Sequence, residues 1–346
     1  MISAGSDHIS RSQHEASNSC RITEGMNHQT RVYDNIFEML PTEQNPTPIV
    51  RINRLNPNKK FDLYAKLEWM NPFGSVKDRA AWALLRQLET NGALENGRGL
   101  VEPTSGNTGI SLAAMARARG HRLLAIVPNK VPVEKKLLLK IAGADLEVVS
   151  DELCPAPGLG DGSINLAKTH AKASGPRYSM PNQYENEANS EAHFQTTGPE
   201  IWRQTEGRIT HLFATLGTCG TLMGTSRFLR KQNPDLKVIA VQPSEGHDVP
   251  GLRNVSQLDV SKLFDRSLIN EIIEVDFKLA YSRALDLCRS EGLMAGPSSG
   301  LLLEGALRSV AEETKGVGVM IFPDNIFKYT SNMTKHIPDL AVGLEP

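Results

Sequence analysis

Residues 99–120 read GLVEPTSGNTGISLAAMARARG, and this stretch decides the fold. A short apolar run ending near Pro103 passes through a turn of Thr, Ser, Gly and Asn into an Ala-rich segment with helical spacing. The same order recurs. FDLYAKLEW (61–69) alternates as a strand does, and SVKDRAAWALLRQLETNG (75–92) follows as a helix with Ser75 as its expected N-cap and Gly92 as its stop. RLLAIVP (122–128) leads into VEKKLLLKIAG (133–143), HLFATLG (211–217) leads into a helix starting near Cys219, and VGVMIFPD (317–324) closes the series. Repeated strand, turn and helix predict an α/β fold with largely parallel sheets. Ligands of such sheets sit at the carboxyl ends of the strands, which makes each strand-to-turn junction a candidate site.

The chain has 346 residues, 40% hydrophobic and 22% charged, enough to bury a sizeable core in two domains. We expect a polar, disordered extension over 1–30, an N-terminal α/β domain over 31–180, a C-terminal α/β domain over 181–333 and a tail over 334–346. DELCPAPGLGDG (151–162) is the longest Pro/Gly-rich loop. Thirty-eight Lys and Arg against thirty-nine Asp and Glu leave a net charge of -1, so no electrostatic excess argues for a nucleic-acid or anionic-membrane partner. No apolar run approaches the roughly 20 residues that span a bilayer, and no basic-then-apolar signal opens the chain, so the expected compartment is the cytoplasm. Cys20, Cys154, Cys219 and Cys288 are scattered, as expected of reduced thiols, and the nine histidines form no metal-binding motif, so no metal is expected.

Four junctions carry residues suited to chemistry. In TSGNTG (104–109), hydroxyls, an amide and backbone N–H groups at a helix N-terminus suit a carboxylate or phosphate. The same residues also read as an ordinary helix start capped by Ser105 or Asn107. LGTCGTLMG (216–224) has glycines at 217, 220 and 224, matching neither a dinucleotide fingerprint nor a P-loop. It can wrap one phosphate against a helix dipole, or serve only as a glycine-rich helix entry. In MAGPSSGLLLEG (294–305), Ser298 offers one neutral hydrogen bond or a plain N-cap. NPFGSVKDR (71–79) puts Lys77 in the first turn of a helix, where the macrodipole disfavours a cation. A surface lysine explains it, as does a buried amine of lowered basicity that attacks a carbonyl.

Taken together and in this order, NPFGSVKDR, EPTSGNTGISLA, GTCGTLMG and GPSSG resemble the fold-type II pyridoxal phosphate enzymes of the cysteine synthase family. The likeness runs from TPIVRINRL (47–55) to FKYTSNM (327–333). It implies two three-layer α/β domains of the tryptophan synthase β type, pyridoxal 5'-phosphate as cofactor, and a homodimer. Lys77 then stands where the family lysine forms the internal aldimine, and Asn107 where an amide meets the cofactor's 3'-oxygen. Thr104, Ser105, Gly106 and Thr108 match the loop that grips the amino acid's carboxylate, and Gln183 matches a glutamine that helps hold it. Gly217, Thr218, Cys219, Gly220 and Thr221 match the 5'-phosphate cradle, and Ser298 the serine facing the pyridine nitrogen. A serine there suits β-elimination and replacement better than transamination.

The implied reaction is β-replacement on an activated L-serine, through an aminoacrylate, with sulfide giving L-cysteine. Two departures stand out: Cys219 replaces a Gly or Thr, and Pro297 an aliphatic residue. Cys219 is either a thiol activated at a helix N-terminus or a small space-filling residue. GLRN within VQPSEGHDVPGLRNV (241–255), with LGTCGTLMGTSRFLR, resembles the phosphoserine-using branch, whose arginine holds the substrate phosphate. Arg253 would take that role, or remain an exposed loop arginine, so O-phosphoserine and O-acetylserine both stay open as donors. Cystathionine β-synthase-like or amine-accepting replacement, serine or threonine dehydration, and a non-catalytic binding partner of the same fold are the alternatives.

Overall fold

A computed structural model describes residues 32–150, 162–173 and 177–343. The polar extension over 1–30, the DELCPAPGLG part of the Pro/Gly loop, Cys20 and Cys154 lie outside the described residues. The described residues from 35 onward form one compact unit.

Among the described residues, ten strands build two sheets. β1 (Ile49–Arg51), β2 (Phe61–Leu67), β7 (His211–Thr215), β8 (Lys237–Pro243), β9 (Glu271–Val275) and β10 (Gly316–Phe322) form the larger, in the order β1-β2-β10-β7-β8-β9. β3 (Gly99–Pro103), β4 (Leu123–Pro128), β5 (Asp145–Val149) and β6 (Tyr178–Ser179) form the smaller, in the order β5-β4-β3-β6. All pairings are parallel except β1 with β2. Strand pairing therefore cuts across a division near residue 180. β2 lies beside β10, in register from Phe61 opposite Gly316 to Leu67 opposite Phe322. A pairing over so long a sequence separation leaves no trace in local periodicity.

Ten α-helices accompany the strands: α1 (Lys77–Thr90), α2 (Asn107–Ala118), α3 (Val133–Ile141), α4 (Gly162–Lys172), α5 (Ala188–Gln195), α6 (Thr197–Gln204), α7 (Gly220–Gln232), α8 (Lys278–Asp286), α9 (Pro297–Ser309) and α10 (Thr330–His336). Alternation along the central strands makes two cores per sheet. Phe213, Ile239, Val241, Met320 and Phe322 pack with α8 and α9, through Ala280, Tyr281, Leu301 and Leu302. Leu212, Ala214, Val238, Ala240, Val319 and Ile321 pack with Ile201 of α6 and with Leu222, Met223 and Leu229 of α7. In the smaller sheet, Leu100, Leu123, Ala125 and Val127 face α1, α2 and α3, whereas Val101 and Ile126 face Ala167 of α4. Each sheet is thus the middle of three layers, as the resemblance implied.

The expected helix caps need correction in detail. The N-cap of α2 is Gly106, at φ +146°, rather than Ser105 or Asn107. The hydroxyl that satisfies its first turn is that of Thr104, which accepts from the N–H groups of Gly106 and Gly109, each at 3.1 Å. α9 is capped by Gly296, which puts Pro297 in its first turn, where a fixed φ and a missing N–H cost nothing, and leaves the Ser298 hydroxyl for other work. Ser75 lies one residue before the N-cap Val76, yet its hydroxyl still accepts from the Lys77 N–H at 3.3 Å.

A buried ionic network holds α1 in place. Arg79 Nε bonds Glu68 Oε2 at 2.7 Å and its Nη1 bonds Glu200 Oε1 at 2.5 Å, while Lys66 Nζ reaches Glu200 Oε2 at 2.8 Å. Burial alone would raise the Glu68 carboxyl, but the Arg79 guanidinium outweighs it and holds the group down at about 2. With all four charges paired, the helix that carries Lys77 is fastened to β2 and α6.

Candidate active site

One pocket gathers the residues singled out from the sequence. Lys77, Thr104, Ser105, Asn107, Thr108, Gln183, Gly217, Thr218, Cys219, Thr221, Arg253 and Ser298 all line it. Gly106 and Gly220 shape it from behind: a Cβ on Gly106 would lie 3.1 Å from Lys135 Cδ, and one on Gly220 would lie 2.1 Å from Asn189 Oδ1. The lining comes from strand ends of both sheets, at β3, β7 and β10, as the rule for parallel sheets requires.

Lys77 opens α1 directly after a segment tied to the end of β10, where Val76 N–H donates to Pro323 O at 2.8 Å. Its Nζ donates to Thr218 Oγ1 at 3.2 Å. Part of the side chain is accessible through the pocket, yet the amine is enclosed by protein, and that burial lowers it from 10.5 to about 8. It is therefore not a solvated surface lysine.

The carboxylate turn is braced from one side by a glutamine. Thr108 Oγ1 donates to Gln183 Oε1 at 2.6 Å, and Gln183 Nε2 donates to Pro103 O at 3.0 Å. Beneath them Glu102 accepts from the N–H groups of Asn182 at 2.8 Å and Gln183 at 3.0 Å. Burial pushes the Glu102 carboxyl up to about 7 despite those two bonds.

The turn after β7 leads into α7 through Cys219, whose φ of +68° is left-handed. Thr218 Oγ1 accepts from Asn189 Nδ2 at 3.0 Å, and Thr221 Oγ1 lies 3.2 Å from His193 Nε2. His193 is fully enclosed, and burial lowers it to about 3, so it meets Thr221 as a neutral ring. Burial also pushes the Cys219 thiol up to about 12. That favours the space-filling reading of Cys219 over the activated thiol. Arg253 is 6% exposed, with its backbone N–H on Leu216 O at 2.9 Å and its guanidinium 5.3 Å from the centre of the Tyr184 ring, so it is no exposed loop arginine.

A group beyond β10 was missed from the sequence. Asp324 Oδ2 accepts from Asn107 Nδ2 at 2.7 Å and from the Tyr329 hydroxyl at 2.5 Å. Lys328 Nζ donates to Asn107 Oδ1 at 3.2 Å and to Gly74 O at 2.9 Å. Both ends of the Asn107 amide are thereby fixed, and Lys135 joins the pocket wall beside Tyr329. The signal was the same strand-to-turn junction, PDNIFKY after VGVMIF, which was read only as the close of the series.

An enclosed amine in a pocket between the strand ends of two largely parallel sheets, near a helix N-terminus, suits an aldehyde that carries an anion. The family model for pyridoxal-phosphate dependent enzymes matches residues 40–324, and the chain belongs to that family, in its cysteine synthase, fold-type II branch. Cysteine synthase B of Salmonella typhimurium is 38% identical over 286 residues, spanning 82% of this chain and 92% of that protein. Cysteine synthase of Aquifex aeolicus is 37% identical over 291 residues, spanning 82% and 88%. Among solved structures, an O-ureido-L-serine synthase is similar with a TM-score of 0.78 at 32% identity, over 88% of this chain and 96% of that one. An O-acetyl serine sulfhydrylase isoform of Entamoeba histolytica is similar with a TM-score of 0.77 at 28% identity, over 89% and 93%.

The donor set fits the family's cofactor, pyridoxal 5'-phosphate. A primary amine of lowered basicity suits the aldehyde, and the first turn of α7, with the Thr218 and Thr221 hydroxyls, suits the phosphate. The buried Ser298 hydroxyl suits a ring nitrogen that stays largely unprotonated.

Proposed function

We propose that the chain catalyses β-replacement on an activated L-serine, O-phosphoserine or O-acetylserine, with sulfide as nucleophile and L-cysteine as product. The observation that carries this reading is the enclosed Lys77 amine, 3.2 Å from Thr218 Oγ1 at the phosphate turn, in one pocket with the Thr108–Gln183 pair. Pyridoxal phosphate, when bound, withdraws electrons so that the Cα proton of the amino acid becomes acidic and the Cβ substituent can leave.

The chain's residues do the rest. Lys77 would hold the cofactor at rest, and the same Nζ, once free, would remove the Cα proton of the amino acid and return it at the end. Thr104, Ser105, Gly106 and Thr108, with Gln183 behind them, hold the α-carboxylate and so fix the Cα–H bond towards that amine. The turn Gly217–Thr221 would hold the phosphate, Asn107, held by Asp324 and Lys328, would present its amide, and Ser298 would be the neutral partner of the ring. The leaving group departs with its bonding pair as acetate or phosphate, and the sulfur of hydrosulfide forms the new bond to Cβ.

For the donor we propose O-phosphoserine, with Arg253 as the cation that takes the leaving phosphate through charge-assisted bonds. Its support is that Arg253 is buried and lines the pocket next to the phosphate turn, held there through Leu216. The test compares kcat/KM for O-phosphoserine and O-acetylserine in wild type and Arg253→Ala. A selective loss of about tenfold to a hundredfold for the phosphorylated donor is expected. An equal loss for both donors refutes the role. Sulfide, homocysteine and a small amine run as acceptors in the same assay separate cysteine formation from the alternative replacements. Keto-acid release without an acceptor would mark a dehydratase. The enzyme is expected to act as a cytoplasmic homodimer.

A further inference from the structure

The pocket lining carries three cations, Lys77, Lys135 and Arg253, against one carboxylate, Asp324. Two of the cations have work in the reading above, and Lys135 has none. It sits in the first turn of α3 and is 2% exposed. Its stem packs on the carboxylate turn, since a Cβ on Gly106 would lie 3.1 Å from Lys135 Cδ. Its Nζ rests 4.0 Å from the centre of the Tyr329 ring. No hydrogen bond or ion pair to that ammonium is found among the described residues. Asp324 attracts it from a distance without an ion pair between them: Oδ2 of that carboxylate accepts from Asn107 and Tyr329, and its buried Oδ1 has no hydrogen-bond partner.

A lysine this buried with no ion-paired anion is costly, and a helix N-terminus adds to the cost. The residues that grip the carboxylate, Thr104, Ser105 and Thr108, supply only neutral hydroxyls and N–H groups. A carboxylate placed against that turn would lie within reach of its ammonium, because the stem of Lys135 lies on Gly106. The aromatic face of Tyr329 holds the cation in the absence of substrate and gives up little when an anion arrives.

We propose that Lys135 is a specificity-determining residue of this site, the cation that pairs with the α-carboxylate of the amino-acid substrate at the Thr104–Thr108 turn. This rests on the reading of the site as one for a free amino acid. Arg253, tied to Leu216 beside the phosphate turn, is assigned a different anion in that reading, so the two cations would sort two ends of one substrate.

The test is a binding titration of the holoenzyme, read from the visible spectrum of its cofactor without turnover. L-serine and L-serinamide, which differ only in the carboxylate, are compared in wild type, Lys135→Met, Lys135→Gln and Lys135→Arg. Wild type should prefer L-serine, and the Met and Gln variants should lose about tenfold to a hundredfold of that preference. The Arg variant should restore most of it. The preference is read on whichever neutral variant retains the cofactor band. An unchanged preference, or a loss that appears only in KM for sulfide, overturns the proposal. Failure of the β-replacement reading would show separately, as absence of cysteine formation in wild type with an intact spectral response to amino acids.

Discussion

Replacing Glu102 by Gln should loosen the glutamine behind the carboxylate turn and change how stability depends on pH. Both Glu102 oxygens accept backbone N–H groups, from Asn182 at 2.8 Å and Gln183 at 3.0 Å. A glutamine offers one acceptor and turns an NH2 donor towards the other N–H, which costs about 1–3 kcal/mol in a buried site. The pH effect has a definite sign. Burial raises the folded-state carboxyl from 4.5 to about 7, so between these values the folded chain holds a proton that the unfolded chain has released. Glu102's contribution is therefore fully present below 4.5 and lost as pH rises through about 7, on the order of 3 kcal/mol in all. Asp78, pushed by burial from 3.8 up to about 6, slopes the same way, and the enclosed His193, lowered to about 3, slopes the opposite way. Both are common to wild type and variant and cancel in the difference. Urea unfolding at a series of pH values measures that difference. The wild-type advantage should shrink steadily from about pH 5 to about pH 8, because the amide does not titrate. The same variant should raise KM for the amino-acid donor more than it lowers kcat, since in the proposed mechanism Gln183, bonded to Thr108, braces the carboxylate turn and not the base. An advantage independent of pH would refute the claim that burial holds the carboxyl up.

The amine of Lys77 must be unprotonated to capture an aldehyde, and its value of about 8 puts that change near neutrality. Cofactor loading of the apo chain, followed by the growth of visible absorbance, should speed up about tenfold per pH unit below that value and level off above it. An inflection near the ordinary lysine value of 10.5 would contradict the burial argument. Gly224 is where α7 crosses α5: a Cβ there would fall 1.9 Å from Ser190 O and 2.9 Å from His193 Cβ. Gly224→Ala should therefore push the phosphate turn out of place and cost roughly 1–3 kcal/mol or more, seen as a lower Tm and weaker cofactor retention. An unchanged Tm would mean that the two helices separate freely.

The strand–turn–helix rhythm around TSGNTG and GTCGT was legible because it is local. Apolar runs, turn residues and helical spacing lie within about thirty consecutive positions, where side-chain periodicity follows backbone geometry directly. The residues lining the pocket were found for the same reason, since each stands at the mouth of such a unit. The caps were less legible. Ser105 and Asn107 have the right chemistry for an N-cap, but the Thr104 hydroxyl reaches the two N–H groups first because Gly106 takes a φ of +146°. No propensity encodes that choice.

By itself the sequence determined the α/β class and singled out the lysine, two turns suited to anions and the serine as candidates, all of which depend on neighbours along the chain. Only the tertiary structure decided what each side chain has for company. Pairing of β2 with β10 brings Phe61–Leu67 against a strand some 250 residues later and sets α1 beside the end of β10. Enclosure then lowers Lys77, raises Glu102 and Cys219, and leaves Lys135 with an aromatic face and no ion-paired anion. Burial and electrostatics sum over atoms near in space and distant in sequence, so a lysine in a first helical turn reads alike on paper whether it faces water or an aldehyde.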